Sequence, residues 1–137
     1  MSWSGVKKQS YEQEIKSWCE EMGIEDYTIN SDGEIDVWGY VNLREKDFKE
    51  LPYKFGKITG PEGIFAMSDC NNLISLKNCP DEVSRYFDVD DCPQLESLNG
   101  CPKKVETKFF CRNCKRKFTK EEVRSLCEVG KEIINLS

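Results

Sequence analysis

Cys111 and Cys114 form a C-x-x-C pair inside Cys-Arg-Asn-Cys-Lys-Arg-Lys, the spacing of a zinc knuckle or a dithiol redox site. Around it the chain carries eight cysteines and no histidine in 137 residues. A four-thiolate zinc site needs two such pairs. Cys70, Cys79, Cys92 and Cys101 are instead separated by 9, 13 or 22 residues. The missing histidine removes an imidazole general base, a Ser-His-Asp triad and any His-bound metal. No Gly-rich phosphate loop and no paired Asp/Glu motif replaces them. The reading is a non-catalytic protein without a cofactor. A zinc-binding adaptor through Cys111 and Cys114 is kept as an alternative.

The elements that position these cysteines are repeats. Cys70, Cys92 and Cys114 follow one another at 22-residue steps, as do Phe65, Phe87 and Phe109. Leu73/Leu95, Leu76/Leu98, Cys79/Cys101, Pro80/Pro102 and Val83/Val105 keep the same step. A fixed period of this length is the mark of a solenoid. In this register Cys111 takes the inward strand position of Met67 and Val89, and Cys114 that of Cys70 and Cys92. Free cysteine acts as a small buried hydrophobe, so the C-x-x-C reads as two repeat positions that are both cysteine. An earlier, degenerate unit shows in Val41-Asn42-Leu43, Phe48, Leu51-Pro52 and Phe55.

The string F-x-V-x-x-C-x-x-L-x-S-L-x-x-C-P-x-x-V at Phe87–Val105 resembles the leucine-rich repeat. Phe87-Asp88-Val89 matches its strand. Cys92 falls where a small side chain turns inward and bonds the backbone. Leu95 and Leu98 fill the returning arm, and Gly100-Cys101-Pro102 and Asn78-Cys79-Pro80 read as turns. The S-L-x-x-C-P-x-x-V pattern is further similar to small leucine-rich-repeat proteins of large tailed bacteriophages. So are Tyr27–Leu43, Leu51-Pro52 with Phe55-Gly56-Lys57, and Phe118-Thr119-x-x-x-Val123-Arg124. That resemblance implies a short α+β solenoid with no enzymatic activity and carries over no functional residue. It also implies a phage accessory protein that modulates a host protein, for example an antiviral defence component.

Both ends read as caps around one domain: a helical cap over 1–26, a hairpin and repeat stack over 27–118, and a helix-and-strand cap over 119–137. Ser10-x-x-Gln13 predicts a capping box. Tyr11, Ile15, Trp18, Cys19 and Met22 form one apolar helix face, which Gly23 ends. Tyr27-Thr28-Ile29 and Ile35-Asp36-Val37 flank Asn30-Ser31-Asp32-Gly33 as a hairpin. Asp32, Glu34 and Asp36 lack the twelve-residue ligand series of a calcium loop. Thr119-x-x-Glu122 predicts a second capping box with Phe118 and Val123 as its staple. Val123, Leu126 and Cys127 make that helix's stripe, Gly130 ends it, and Ile133–Leu136 reads as a strand that blunts the sheet edge.

Net charge is −5, distributed as −4 over residues 1–60, −6 over 61–102, +7 over 103–120 and −2 over 121–137. No apolar run of about 18 residues suggests a membrane span. The start MSWSGVKKQS has no secretory h-region, so a cytoplasmic setting is expected, that of the host cell if the chain is phage-encoded. Alternation within the strands selects one outward face as the partner surface: Tyr40, Asn42 and Arg44; Ile64, Ala66 and Ser68; Tyr86, Asp88 and Asp90; Lys108, Phe110 and Arg112. Tyr and Arg are enriched in binding hot spots. The candidate partner-binding residues are therefore Tyr40, Arg44, Tyr86, Asp88, Asp90, Lys108, Phe110, Arg112, Lys115 and Arg116. A host protein is the favoured partner. The basic segment invites a nucleic-acid reading, which the acidic remainder opposes. A nucleic-acid mimic that inhibits a host nuclease would rest on Asp81, Glu82, Asp88, Asp90 and Asp91, the one dense acidic group. The third use of the basic segment is internal pairing with the acidic repeats.

Overall fold

The structure, a computed structural model, describes residues 5–136. The first four residues of the expected 1–26 cap, and Ser137, lie outside the described residues. The fold is α+β: a β-solenoid of five coils with a helix at its start. Helix α1 (Gly5–Met22) is followed by a hairpin of β1 (Tyr27–Ile29) and β2 (Ile35–Trp38). From β2 onward every coil contributes two strands. They are β2 with β3 (Val41–Asn42), β4 (Phe55–Thr59) with β5 (Phe65–Ala66), and β6 (Glu82–Val83) with β7 (Tyr86–Asp88). Next come β8 (Lys104–Val105) with β9 (Lys108–Phe110), and β10 (Glu128–Val129) with β11 (Glu132–Ile134). Short α2 (Lys120–Leu126) lies before β10.

Two parallel sheets result. One runs β2-β4-β6-β8-β10 with β1 added antiparallel at its edge, and the other runs β11-β9-β7-β5-β3. The third side of each coil is built of turns. The repeat string predicts one strand per unit, so the first of these sheets is a correction. Its strands β6, β8 and β10 have two residues each, too few to show an alternation in the sequence.

The repeat itself is as read. Phe65, Phe87 and Phe109 pair in register across β5, β7 and β9. With Phe55 they form a buried column with ring centroids 5.0, 6.1 and 5.1 Å apart. Burying each ring contributes about 2–3 kcal/mol. Val41, Leu43, Met67, Leu73, Leu76, Val89, Leu95 and Cys111 complete the core. Three inward cysteines bond the preceding coil, with Cys70 Sγ donating to the Leu43 carbonyl at 3.3 Å. Cys92 donates to Met67 at 3.2 Å and Cys114 to Val89 at 3.3 Å. The residue before each of these cysteines is left-handed: Asp69, Asp91 and Asn113 have φ of 60°, 57° and 54°. Asp and Asn tolerate that conformation better than other non-glycine residues, which explains the recurrent Asp-Cys and Asn-Cys pairs. The turn before Pro80 and Pro102 uses the same device, with Asn78 at φ 73° and Gly100 at φ 94°.

The helical ends differ from expectation at several points. Helix α1 starts at Gly5, so Ser10 lies inside it and makes no capping box. Lys7, Lys8 and Gln9 are good helix formers and carry the helix past the expected start. Its C-terminus is as expected: Gly23 has φ 73°, and Ile24 and Gly23 donate to the Cys19 and Glu20 carbonyls in a Schellman motif. Ile15 and Cys19 enter the core, and Trp18 contacts Phe48, Tyr53 and Phe55. The Thr119–Glu122 capping box is present, over the buried Phe118 and Val123. Helix α2 ends at Leu126 rather than at Gly130, with Cys127 as an extended C-cap and not on the helix stripe. Leu126 is 42% exposed, outside the expected stripe. Gly130 instead turns the corner between β10 and β11, where a Cβ would run into the Glu106 carbonyl oxygen. The C-terminal segment therefore builds a fifth coil over the last repeat. Strands β10 and β11 extend the two sheets by one strand each and form their outer edges.

Candidate functional site

The outward face of the β3-β5-β7-β9-β11 sheet is a grid set by the parallel register. Asn42, Ala66, Asp88, Phe110 and Ile134 form its central row. Tyr86 and Lys108 are paired two residues before that row, and the alternation puts Tyr40 and Ile64 beside them. Arg44, Ser68, Asp90 and Arg112 line the other side, where Glu45 donates to the Ser68 carbonyl and Asp91 to the Arg112 carbonyl. The strand is extended through these positions.

The grid is not flat. Ala66 and Ser68 are small and buried, and the larger neighbours stand above them. The outcome is a shallow groove of about 320 Å³ lined by Tyr40, Ile64, Tyr86, Asp88, Arg44 and Phe110, among others. Tyr86 and Phe110 meet edge to face at 5.7 Å and 85°. Arg85 lies 4.9 Å and Lys108 5.9 Å from the Tyr86 centroid, and Arg112 lies 5.7 Å from that of Phe110.

Charges on the face are unequally satisfied. Asp90 is 5% exposed. It accepts from the Arg112 backbone N–H at 2.6 Å and from guanidinium nitrogens at 2.7 and 3.0 Å. Arg44 reaches Ser68 Oγ at 2.8 Å and Asp69 at 3.4 Å. Asp88 accepts the Asp90 backbone N–H at 2.9 Å. It has no ion-pair partner among the described residues. Burial pushes its carboxyl up to about 6, and the Asp90 carboxylate adds to this against the pull of Arg112 and Arg44.

Tyr40, Arg44, Tyr86, Asp88, Asp90 and Phe110 thus come together, with Lys108 and Arg112 on the adjoining strand. Lys115 and Arg116 do not join them. They lie on the turn side, where Lys115 meets Glu96 at 3.5 Å. Arg116 pairs with Glu122 at 2.6 Å and covers the Phe118 ring at 4.6 Å. Four side chains of the basic segment are thus used internally, since Arg112 holds Asp90 and Lys104 meets Glu128 at 3.9 Å. The acidic group divides between faces. Asp81 pairs with Lys54 at 3.1 Å and Glu82 with Lys57 at 3.4 Å, next to the other sheet. Sequence reasoning missed this second face, whose row Lys57-Glu82-Lys104-Glu128 alternates in sign across β4, β6, β8 and β10. The alternation was detectable only once those residues were known to be neighbours.

The thiols are placed for packing. Burial pushes Cys111 up to about 12, and Cys114 and Cys19 up to about 11. Protonated thiols of this kind are poor nucleophiles. All eight cysteines are free. Among the described residues no three His, Cys, Asp or Glu converge on a common point. Among the described residues no helix is long and apolar enough to cross a membrane. No known protein family matches the chain, and no curated protein or solved structure is significantly similar to it.

Proposed function

We propose that this protein is a non-catalytic binding module whose β3-β5-β7-β9 face engages a protein partner. The observation that carries the reading is the groove itself, where half-buried Tyr86 and Phe110 stand beside a carboxylate that has no ion-pair partner among the described residues. Aromatic anchors beside a desolvated polar group are the usual composition of a binding hot spot. In keeping with its phage-like repeat pattern, the partner is a host protein and the role is to modulate or inhibit it in the host cytoplasm. The nucleic-acid and mimic readings are weaker, because Lys104, Arg112, Lys115 and Arg116 are already paired and the acidic group is split.

The test is affinity capture with immobilised wild type and the double variant Tyr86→Ala/Phe110→Ala. Loss of two truncated hot-spot rings should weaken capture at least tenfold, since such residues cost about 2 kcal/mol or more each. Unchanged melting behaviour must accompany the loss. Undiminished capture by a folded double variant moves the binding face elsewhere.

A further inference from the structure

We infer that the groove over Ala66 and Ser68 receives an arginine side chain of the partner, held between Asp88 and the Tyr86, Phe110 and Tyr40 rings. This rests on the binding face proposed above and names the chemistry of what binds there.

Three observations carry it. The first is that the fold does not need a charge at position 88. Asn42 takes the equivalent place in the first coil, and its Oδ1 accepts the Arg44 backbone N–H at 3.2 Å. Asp88 Oδ1 makes the same bond to the Asp90 N–H. An asparagine would fill that role, so the negative charge of Asp88 is surplus to the turn. The second is the charge count along the groove. Asp69, Asp88, Asp90 and Asp91 line it with Arg44 as the cation among them; Arg44 reaches Asp69, and Asp90 is bound to Arg112 on the adjoining strand. A desolvated, unmatched carboxylate favours a cation placed against it more than an exposed one does. The third is shape. The floor is small-sided, and the walls are planar rings. Tyr86 and Phe110 already hold guanidinium groups within 6 Å of their centroids, which shows that these rings suit that ion. A planar guanidinium stacks flat on a ring while its in-plane N–H groups donate bidentately to a carboxylate, a geometry the compact ammonium of lysine does not offer.

The test is an amide NMR titration with N-acetyl-arginine methylamide, using the isosteric neutral N-acetyl-citrulline methylamide as control. The expected result is saturating shifts at Ala66, Ser68, Asp88 and Phe110 with the arginine probe. Affinity should be at least tenfold lower for the citrulline probe, and at least tenfold lower for arginine in Asp88→Asn. Equal binding of both probes, or full arginine affinity in Asp88→Asn, overturns the assignment. Absent probe binding with capture still sensitive to Tyr86→Ala/Phe110→Ala overturns the arginine assignment alone. Capture insensitive to that double variant overturns the binding face and the arginine assignment together.

Discussion

Asp88→Asn should make the protein more stable at neutral pH. The carboxyl titrates near 6 in the folded chain against an ordinary 3.8. Protons therefore bind it more tightly folded than unfolded. Its ionised form costs stability in full above about pH 6. The cost fades as pH falls toward 3.8 and is gone below it. A gap of roughly two pH units corresponds to about 3 kcal/mol at most. Asp88 keeps partial contact with solvent, so screening reduces this to about 1–2 kcal/mol. Asparagine keeps the bond to the Asp90 N–H and discards the charge. The charges around it (Asp90, Arg112, Arg44, Asp69 and Asp91) are unchanged. Urea unfolding followed by tryptophan fluorescence should show the midpoint rising by about 0.5–1 M at pH 7.5, given a slope of about 2 kcal/mol per molar. At pH 3.5 the two proteins should unfold together. A variant no more stable than wild type at pH 7.5, or an advantage that persists at pH 3.5, refutes the account of Asp88 as a charge kept at a cost.

Two further substitutions probe how the coils are held. Arg112→Ala removes the guanidinium from the buried Asp90 and leaves it only the backbone N–H. The expected loss is about 2 kcal/mol, and adding Asp90→Asn should recover part of it in the same urea assay. Gly130→Ala forces a methyl group against the Glu106 carbonyl. It should cost about 2 kcal/mol and speed amide exchange in the last coil before the central ones.

The difference between what was legible and what was not follows chain distance. The 22-residue step, the inward Phe, Leu and Cys positions, the hairpin and the Thr119 capping box are local or strictly periodic, and all can be read from residue types. The first and last coils escaped notice as full coils because their step is 24, from Val41 to Phe65 and from Phe109 to Ile133. In the last coil the additional residues are absorbed on the turn side, where α2 lies, and in the first step they form the longer corner between β4 and β5. The second sheet escaped because a two-residue strand carries no period. Gly130 was misplaced because its reason is the approach of Glu106 from the preceding coil, not the end of a helix.

The site divides the same way. The sequence alone determines which strand residues face outward, because alternation is a local property of the backbone. It also explains the cysteines as repeat positions, through their spacing. It cannot determine which charges find partners. Arg112 and Asp90 are 22 residues apart, and so are Asp88 and Phe110. Only the parallel register of the coils sets each distance across the sheet. That register pairs Arg112 with Asp90 and Lys115 with Glu96, and leaves Asp88 ionisable, half-buried and without an ion-pair partner among the described residues at the edge of the groove.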